Sequence, residues 1–143
     1  DTKINNLISE HNHFFISLGG IKNLEKRKTL FEIILRCGGK LINCISKNAV
    51  ISKSATLGLG ITCLHNCIIN SNAKIDDNVI INNGAIIEHE TWIKQHTHIA
   101  PSAIILSRVI VGELSFVGSN ATIRQGLQLK NQSFINAGVF LNS

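Results

Sequence analysis

The chain has 143 residues, 44% of them hydrophobic and 16% charged, with a formal net charge of +5. That is enough for one domain with its own core, and the scattered Lys and Arg residues give no patch that would read nucleic acid. No apolar run approaches the roughly 18 residues of a membrane span, and no secretory leader pattern opens the chain, so a cytoplasmic location is expected.

Residues 1–13 are polar, with His11 and His13 among Asn, Ser and Glu, and read as solvated. Phe14 to Leu18 read as a buried strand ended by Gly19 and Gly20. This di-glycine turn lacks both GxGxxG and GxxxxGK(S/T), so a plain tight turn is expected in place of a phosphate loop. Asn23 can cap a helix with Leu30, Phe31, Ile34 and Leu35 on one stripe, stopped by Gly38 and Gly39. Lys26, Arg27 and Lys28 read as its solvated face. A short strand around Leu41 and Ile42 follows. Strand, helix and strand make half of a Rossmann-like unit, with an edge that needs cover, so residues 1–43 are expected to be part of a larger α/β domain.

From Ile45 to Leu141 a branched apolar residue returns at every sixth position, with Cys63 the sole substitute. Four residues after each comes a mostly small one, such as Ala49, Ala55, Cys67, Ala73, Ala85, Ala103 or Ala121. A period of six fits neither a helix nor one long strand, and argues for a short strand and a turn repeated many times. This is the hexapeptide pattern of a parallel β-helix, in which three repeats close one triangular coil of 18 residues. Cys63 and Cys67 fill inward positions and read as packed thiols. No paired CxxC suggests a metal.

Strand alternation turns the residue before each inward aliphatic outward. Ten of these sixteen positions are large and apolar: Val50, Ile68, Ile80, Ile86, Trp92, Ile104, Ile110, Phe116, Phe134 and Phe140. So much apolar surface must be covered, and packing three prisms around a threefold axis, as a homotrimer, is the expected cover.

Within residues 81–101 four polar residues break the repeat: Asn82, His89, Glu90 and His98. His89 faces outward at a turn between Glu88 and Glu90. A carboxylate on one ring nitrogen raises the basicity of the other, which suits the imidazole to take a proton from an attacking amine or hydroxyl. His89 and His98 are half a coil apart and belong on different walls, so they share a site only if neighbouring subunits supply one each. Residues 18 apart stack, giving a ladder of Pro101, Ser119 and Ala137 whose small groups could floor a groove for a pantetheine arm.

The stretch IINNGAIIEHETWIKQHTHIAPSAIIL, with ISKSA at 51–55 and HIAP at 98–101, resembles the acetyltransferases of the NeuD and PglD family, which acetylate sialic acids or the amino group of sugar nucleotides. The resemblance implies a left-handed parallel β-helix of hexapeptide repeats over residues 44–143, preceded by the partial α/β, Rossmann-like segment at 1–43. It implies acetyl-CoA as co-substrate and a sugar or sugar-nucleotide acceptor. His89 falls on the family's catalytic base, Glu90 on its acidic neighbour, His98 with Ser119 and Ala137 on contacts to acetyl-CoA, and Asn82 on an asparagine near the acceptor. Ser107 stands where a glycine is usual, and the family's first strand and glycine-rich nucleotide turn have no counterpart. The expected function is N-acetylation of a nucleotide-linked amino sugar in surface-glycan biosynthesis. Alternatives are sialic acid O-acetylation, a metal-dependent hydratase, and a non-catalytic trimeric scaffold. The hydratase needs histidine ligands that meet, whereas His65, His89, His96 and His98 fall on several walls; a scaffold has no need of Glu-His-Glu.

Overall fold

The computed structural model describes residues 12–21 and 24–143. His11 and the Asn23 cap lie outside the described residues. From Cys44 onward two-residue strands recur every six residues, each pairing in parallel with strands 18 residues away. They form three walls. The first holds Cys44–Ile45, Thr62–Cys63, Ile80–Ile81, His98–Ile99, Phe116–Val117 and Phe134–Ile135. The second holds Val50–Ile51, Ile68–Ile69, Ile86–Ile87, Ile104–Ile105, Thr122–Ile123 and Phe140–Leu141. The third holds Thr56–Leu57, Lys74–Ile75, Trp92–Ile93 and Ile110–Val111, and a single bridge joins Ile110 to Gln128 beyond it. The result is a parallel β-helix of about five coils, as the six-residue rhythm requires.

The inward aliphatics form one continuous core from Ile61 to Ile123, and the corner residues Ala73, Ala85, Ala103 and Ala121 are buried with them. Each buried Ile or Val side chain contributes roughly 1.5–3 kcal/mol by leaving water. Cys63 and Cys67 lie inside this core, where contact with Cys67 and burial push the Cys63 thiol well up. The corners turn through a left-handed residue, for which Asn and Gly carry the least steric cost. Asn66, Asn72, Asn78 and Asn120 fill that place at φ 56–59° and Gly60, Gly84, Gly126 and Gly138 at other corners, while Glu90, His96, Ser102, Arg108, Leu114 and Gln132 adopt it against that preference. At most of these corners the backbone N–H donates to a carbonyl of the preceding coil, as Gly84 does to His65 at 2.9 Å and Asn120 to Pro101 at 3.1 Å, and that of Asn72 donates to Ser54 Oγ. Corner polar groups are thereby satisfied without water.

Ahead of the solenoid, β1 (His13–Phe14) and β2 (Lys40–Leu41) pair in parallel around the helix α1 (Leu24–Arg36). The strand expected over residues 14–18 is thus only two residues long here. β2 is equally short, and after Ile42 donates to the Phe14 carbonyl the chain leaves for the coil, so residues 15–20 have no strand partner among the described residues. Phe31 and Ile34 are buried, with Leu30 packed against them, whereas Leu35 is exposed. Gly38, at φ 84°, ends the helix with a hydrogen bond to the Leu35 carbonyl.

Two expectations are corrected by this segment. Arg27 does not belong to a solvated face: it is 2% exposed. Its guanidinium donates to the carbonyls of Ile16, Leu18 (2.9 Å), Gly60 (3.1 Å) and Asn78 (3.4 Å), and to Thr62 Oγ1 (3.4 Å), tying the segment to the first wall. Burial lowers its pKa to about 10, still cationic at neutral pH. Beside it Lys28 pairs with Glu113 at 3.4 Å. The apolar exterior, in turn, is partly covered by the chain's own residues. Ile80 and Phe116 are each 5% exposed, with Gly19 against Ile80 and Ile21 and Leu24 beside Phe116. Val50, Phe134 and Phe140 stay open at 62%, 55% and 61%.

The same seam buries two histidines. Phe31 packs edge-on against His96 at 5.4 Å, and His96 Nδ1 lies 2.9 Å from the Asn78 side-chain amide. Burial lowers the pKa of His96, and it lowers that of His98 to about 4, against an opposing pull from the Gly20 backbone and with help from the Arg27 charge.

Replacing Arg27 with Met would strand several buried carbonyls without a donor, and should weaken docking of the segment by roughly 2–4 kcal/mol. Hydrogen exchange checks this: amides of α1 should exchange faster while those of Ile87, Ile99 and Ile105 hold their protection, and unchanged α1 protection would refute the anchor. Acid should act on the same seam. A base whose folded pKa is depressed binds more protons when unfolded, so stability is full above the ordinary value of 6.5 and falls as pH drops towards about 4, by about 3 kcal/mol for His98. Urea unfolding midpoints at pH 7 and pH 4.5 measure the drop, and His98→Gln should remove much of it.

Candidate active site

His89 follows the second-wall strand Ile86–Ile87, on the corner leading to the third wall. The inward ladder there is taken by Ile87 and Thr91, both buried, so the residues between them project to solvent. Of the two neighbouring carboxylates it is Glu90 that meets the imidazole, with Oε2 3.6 Å from His89 Nδ1. That separation is beyond a hydrogen bond and within ion-pair reach. Nε2 is the ring nitrogen left for a substrate. Glu90 holds the left-handed corner position at φ 60°, and the same Oε2 lies 3.9 Å from Nη1 of Arg108, one coil further on. Both side chains of the His-Glu pair are about half exposed.

Asn82 and His98 meet elsewhere, on and beside the first wall. The Asn82 amide oxygen accepts the Asn83 backbone N–H at 2.8 Å, which turns its nitrogen towards His98 Nε2 at 3.2 Å. Nε2 is therefore the acceptor, and the neutral ring carries its proton on Nδ1. Among the described residues this buried Nδ1 makes no hydrogen bond of regular geometry, although the Gly20 backbone is near enough to oppose the lowering of the His98 pKa. The ring stands edge-on to Phe116 at 5.3 Å, and Phe116 stacks on Phe134 at 5.2 Å. A cavity of about 370 Å³ opens here between the wall and the N-terminal segment. Asn82, His98, Cys44 and Thr62 line one side, and Phe15, Gly19, Gly20 and Arg27 the other. Gly20 reaches this arrangement at φ 122°, open to glycine and strained for other residues.

Ser119 and Ala137 continue the corner between the first and second walls that begins at Asn83 and Pro101. Gly138 donates its N–H to the Ser119 carbonyl at 2.8 Å, and Gly118 packs so tightly that a Cβ would come within 2.5 Å of the Ala137 nitrogen. Ser119 is half-buried and Ala137 exposed, so the ladder ends in small outward groups.

One subunit thus brings Asn82 to His98, and Glu90 to His89. It keeps the two pairs on different corners of the coil, with the second wall between them. His65 bonds Ser46 at 2.7 Å and His96 lies under Phe31, so the histidines keep separate surroundings. Among the described residues no three His, Cys, Asp or Glu side chains converge as a metal site. Sequence reasoning missed Arg108 and the cavity wall made by Gly19, Gly20, Arg27, Cys44 and Thr62. The 18-residue step from Glu90 would have found Arg108; the cavity had no comparable signal, because it depends on where the N-terminal segment docks.

No protein-family model matches the chain. Among solved structures, PerB from Caulobacter crescentus, in complex with CoA and GDP-perosamine, superposes with a TM-score of 0.94 at 28% identity, over 100% of this chain and 69% of that one. A point mutant of perosamine N-acetyltransferase from Caulobacter crescentus, also in complex with CoA and GDP-perosamine, superposes with a TM-score of 0.94 at 27% identity, over 100% of this chain and 68% of that one. The acetyltransferase domain of PglB from Neisseria gonorrhoeae, in complex with acetyl coenzyme A, gives 0.92 at 26% identity, over 99% and 67%. WeeI from Acinetobacter baumannii, at 20% identity and 0.74, shares the fold. The chain is therefore similar, along its whole length, to sugar N-acetyltransferases of the hexapeptide-repeat β-helix fold.

Proposed function

We propose that this protein is an acetyl-CoA-dependent acyltransferase that acetylates the amino group of a nucleotide-linked sugar, acting as a left-handed β-helical homotrimer in the cytoplasm. The observation that carries the reading is the end-to-end likeness to PerB and to the acetyltransferase domain of PglB. An exposed imidazole backed by a carboxylate at a corner of the coil agrees with it. Among the described residues no helix is long and apolar enough to cross a membrane.

His89 is assigned as general base. With Nδ1 turned to Glu90, Nε2 accepts a proton from the acceptor amine as the nitrogen attacks the thioester carbonyl; the tetrahedral adduct collapses, the CoA thiolate leaves, and the acetyl group stays on nitrogen as an amide. Glu90 stabilises the imidazolium that forms. A backbone N–H beside the CoA groove is assigned to steady the oxyanion. His98, Ser119 and Ala137 are assigned to acetyl-CoA, running along the small-residue corner, and Asn82 to the acceptor at the edge of the cavity. Because burial keeps His98 neutral, it serves as a hydrogen-bonding group and not as a second charge. Residues 1–43 are assigned to a sugar-nucleotide-binding α/β unit, on the strength of the parallel β1–α1–β2 crossover, and 44–143 to the acyltransferase domain. The trimer reading rests on the open apolar residues Val50, Phe134 and Phe140, and on the separation of His89 from His98, which a neighbouring copy would bridge.

His89→Ala should lower kcat for acetyl transfer to an amino-sugar nucleotide by about 10²-fold or more, the scale of losing a general base, with melting temperature and oligomeric mass unchanged. A fully active His89→Ala protein would remove the assignment. Acetyl-CoA at 100 times its Kd should add about 2.7 kcal/mol of stability, read as a higher melting temperature; no shift would favour a scaffold.

A further inference from the structure

We infer that Arg108 is a positioning residue for the acetyl transfer, holding the Glu90 carboxylate in place so that Glu90 in turn holds His89; this rests on the acetyltransferase reading above. The three residues meet on one corner of two successive coils. The Arg108 backbone N–H donates to the His89 carbonyl at 3.1 Å, which fixes the two corners relative to one another. Its guanidinium reaches back to Glu90, where Oε2 lies 3.9 Å from Nη1 and 3.6 Å from His89 Nδ1. A single carboxylate oxygen is thus shared by the imidazole on one side and a permanent cation on the other.

An exposed glutamate that faced only a neutral imidazole would sample many rotamers and spend much of its time in water. A cation carried on the next coil, its backbone held against His89, biases that sampling towards the imidazole, and a carboxylate already in place stabilises the imidazolium as it forms with less reorganisation. Glu90 and Arg108 hold the same left-handed corner position on successive coils, at φ 60° and 58°, so the two oppositely charged side chains leave one corner in the same register. Arg108 has no other acidic partner within ion-pair distance among the described residues.

Arg108→Asn tests this, because Asn tolerates the left-handed corner and removes only the charge and reach. Steady-state kinetics with acetyl-CoA and an amino-sugar nucleotide should show kcat about tenfold lower in Arg108→Asn, with both KM values within about twofold of wild type and the melting temperature unchanged. Arg108→Lys should recover most of the loss. In a Glu90→Gln background Arg108→Asn should cost almost nothing further, since its route runs through Glu90. Unchanged kcat, a loss confined to KM, or a full additional loss in the Glu90→Gln background would overturn the inference while leaving the acetyltransferase reading intact. A wild-type protein that transfers no acetyl group to any amino-sugar nucleotide would overturn that reading, and this inference with it.

Discussion

The stacking of one coil on the next governs this structure. Each strand of the solenoid is only two residues long, far too short to stand alone, and gains its hydrogen bonds from strands 18 positions away, on both sides for those inside a wall. Inward side chains bury one another in the same register, so Ile69 meets Ile87 and Ile87 meets Ile105. An insertion of a single residue would misplace every later aliphatic and every later corner. That is why the spacing holds without a slip for about five coils, and why side-chain identity is free only outside the prism.

Freedom on the outside is where the three walls become different. The first wall receives the N-terminal segment, anchored by a guanidinium that satisfies carbonyls from both bodies at once. Among the described residues no carboxylate pairs with Arg27; its guanidinium donates to backbone carbonyls, and burial lowers its pKa. Docking hides Ile80 and Phe116, traps His98 as a neutral ring and leaves a cavity against Asn82. The second wall stays open at Val50 and Phe140. The third carries Trp92, whose indole donates to Asp76 at 2.7 Å and lies beneath the ammonium of Lys74 at 4.1 Å. A uniform rod thereby acquires faces with different partners.

The polar residues that interrupt the repeat separate into two pairs on one coil. Asn82 with His98 borders the cavity, and Glu90 with His89 stands on an exposed corner beyond the second wall. One pair is desolvated and uncharged, the other half-solvated and flanked by charges of both signs. Hydrogen bonding suits the first and proton transfer the second, and a second copy of the chain is the simplest means of bringing the two chemistries together.

From the sequence alone came the period, the inward ladder, the separation of His89 from His98 around the coil, and the pairing of a histidine with an adjacent acid, because these follow from local spacing that the coil repeats without variation. The sequence showed Arg27 only as the middle of a basic run; nothing local distinguishes it from Lys26 and Lys28, and its burial depends on which carbonyls arrive from Ile16 and Gly60. The cover over Ile80 and Phe116, the short β1 and the cavity beside His98 have the same origin. They are products of how the segment before the solenoid lies on the first wall, a contact between residues about 35 to 100 positions apart that no short-range pattern encodes. Periodicity settled the column, and tertiary docking settled which of its faces is closed, which titrates and which is left to meet a substrate.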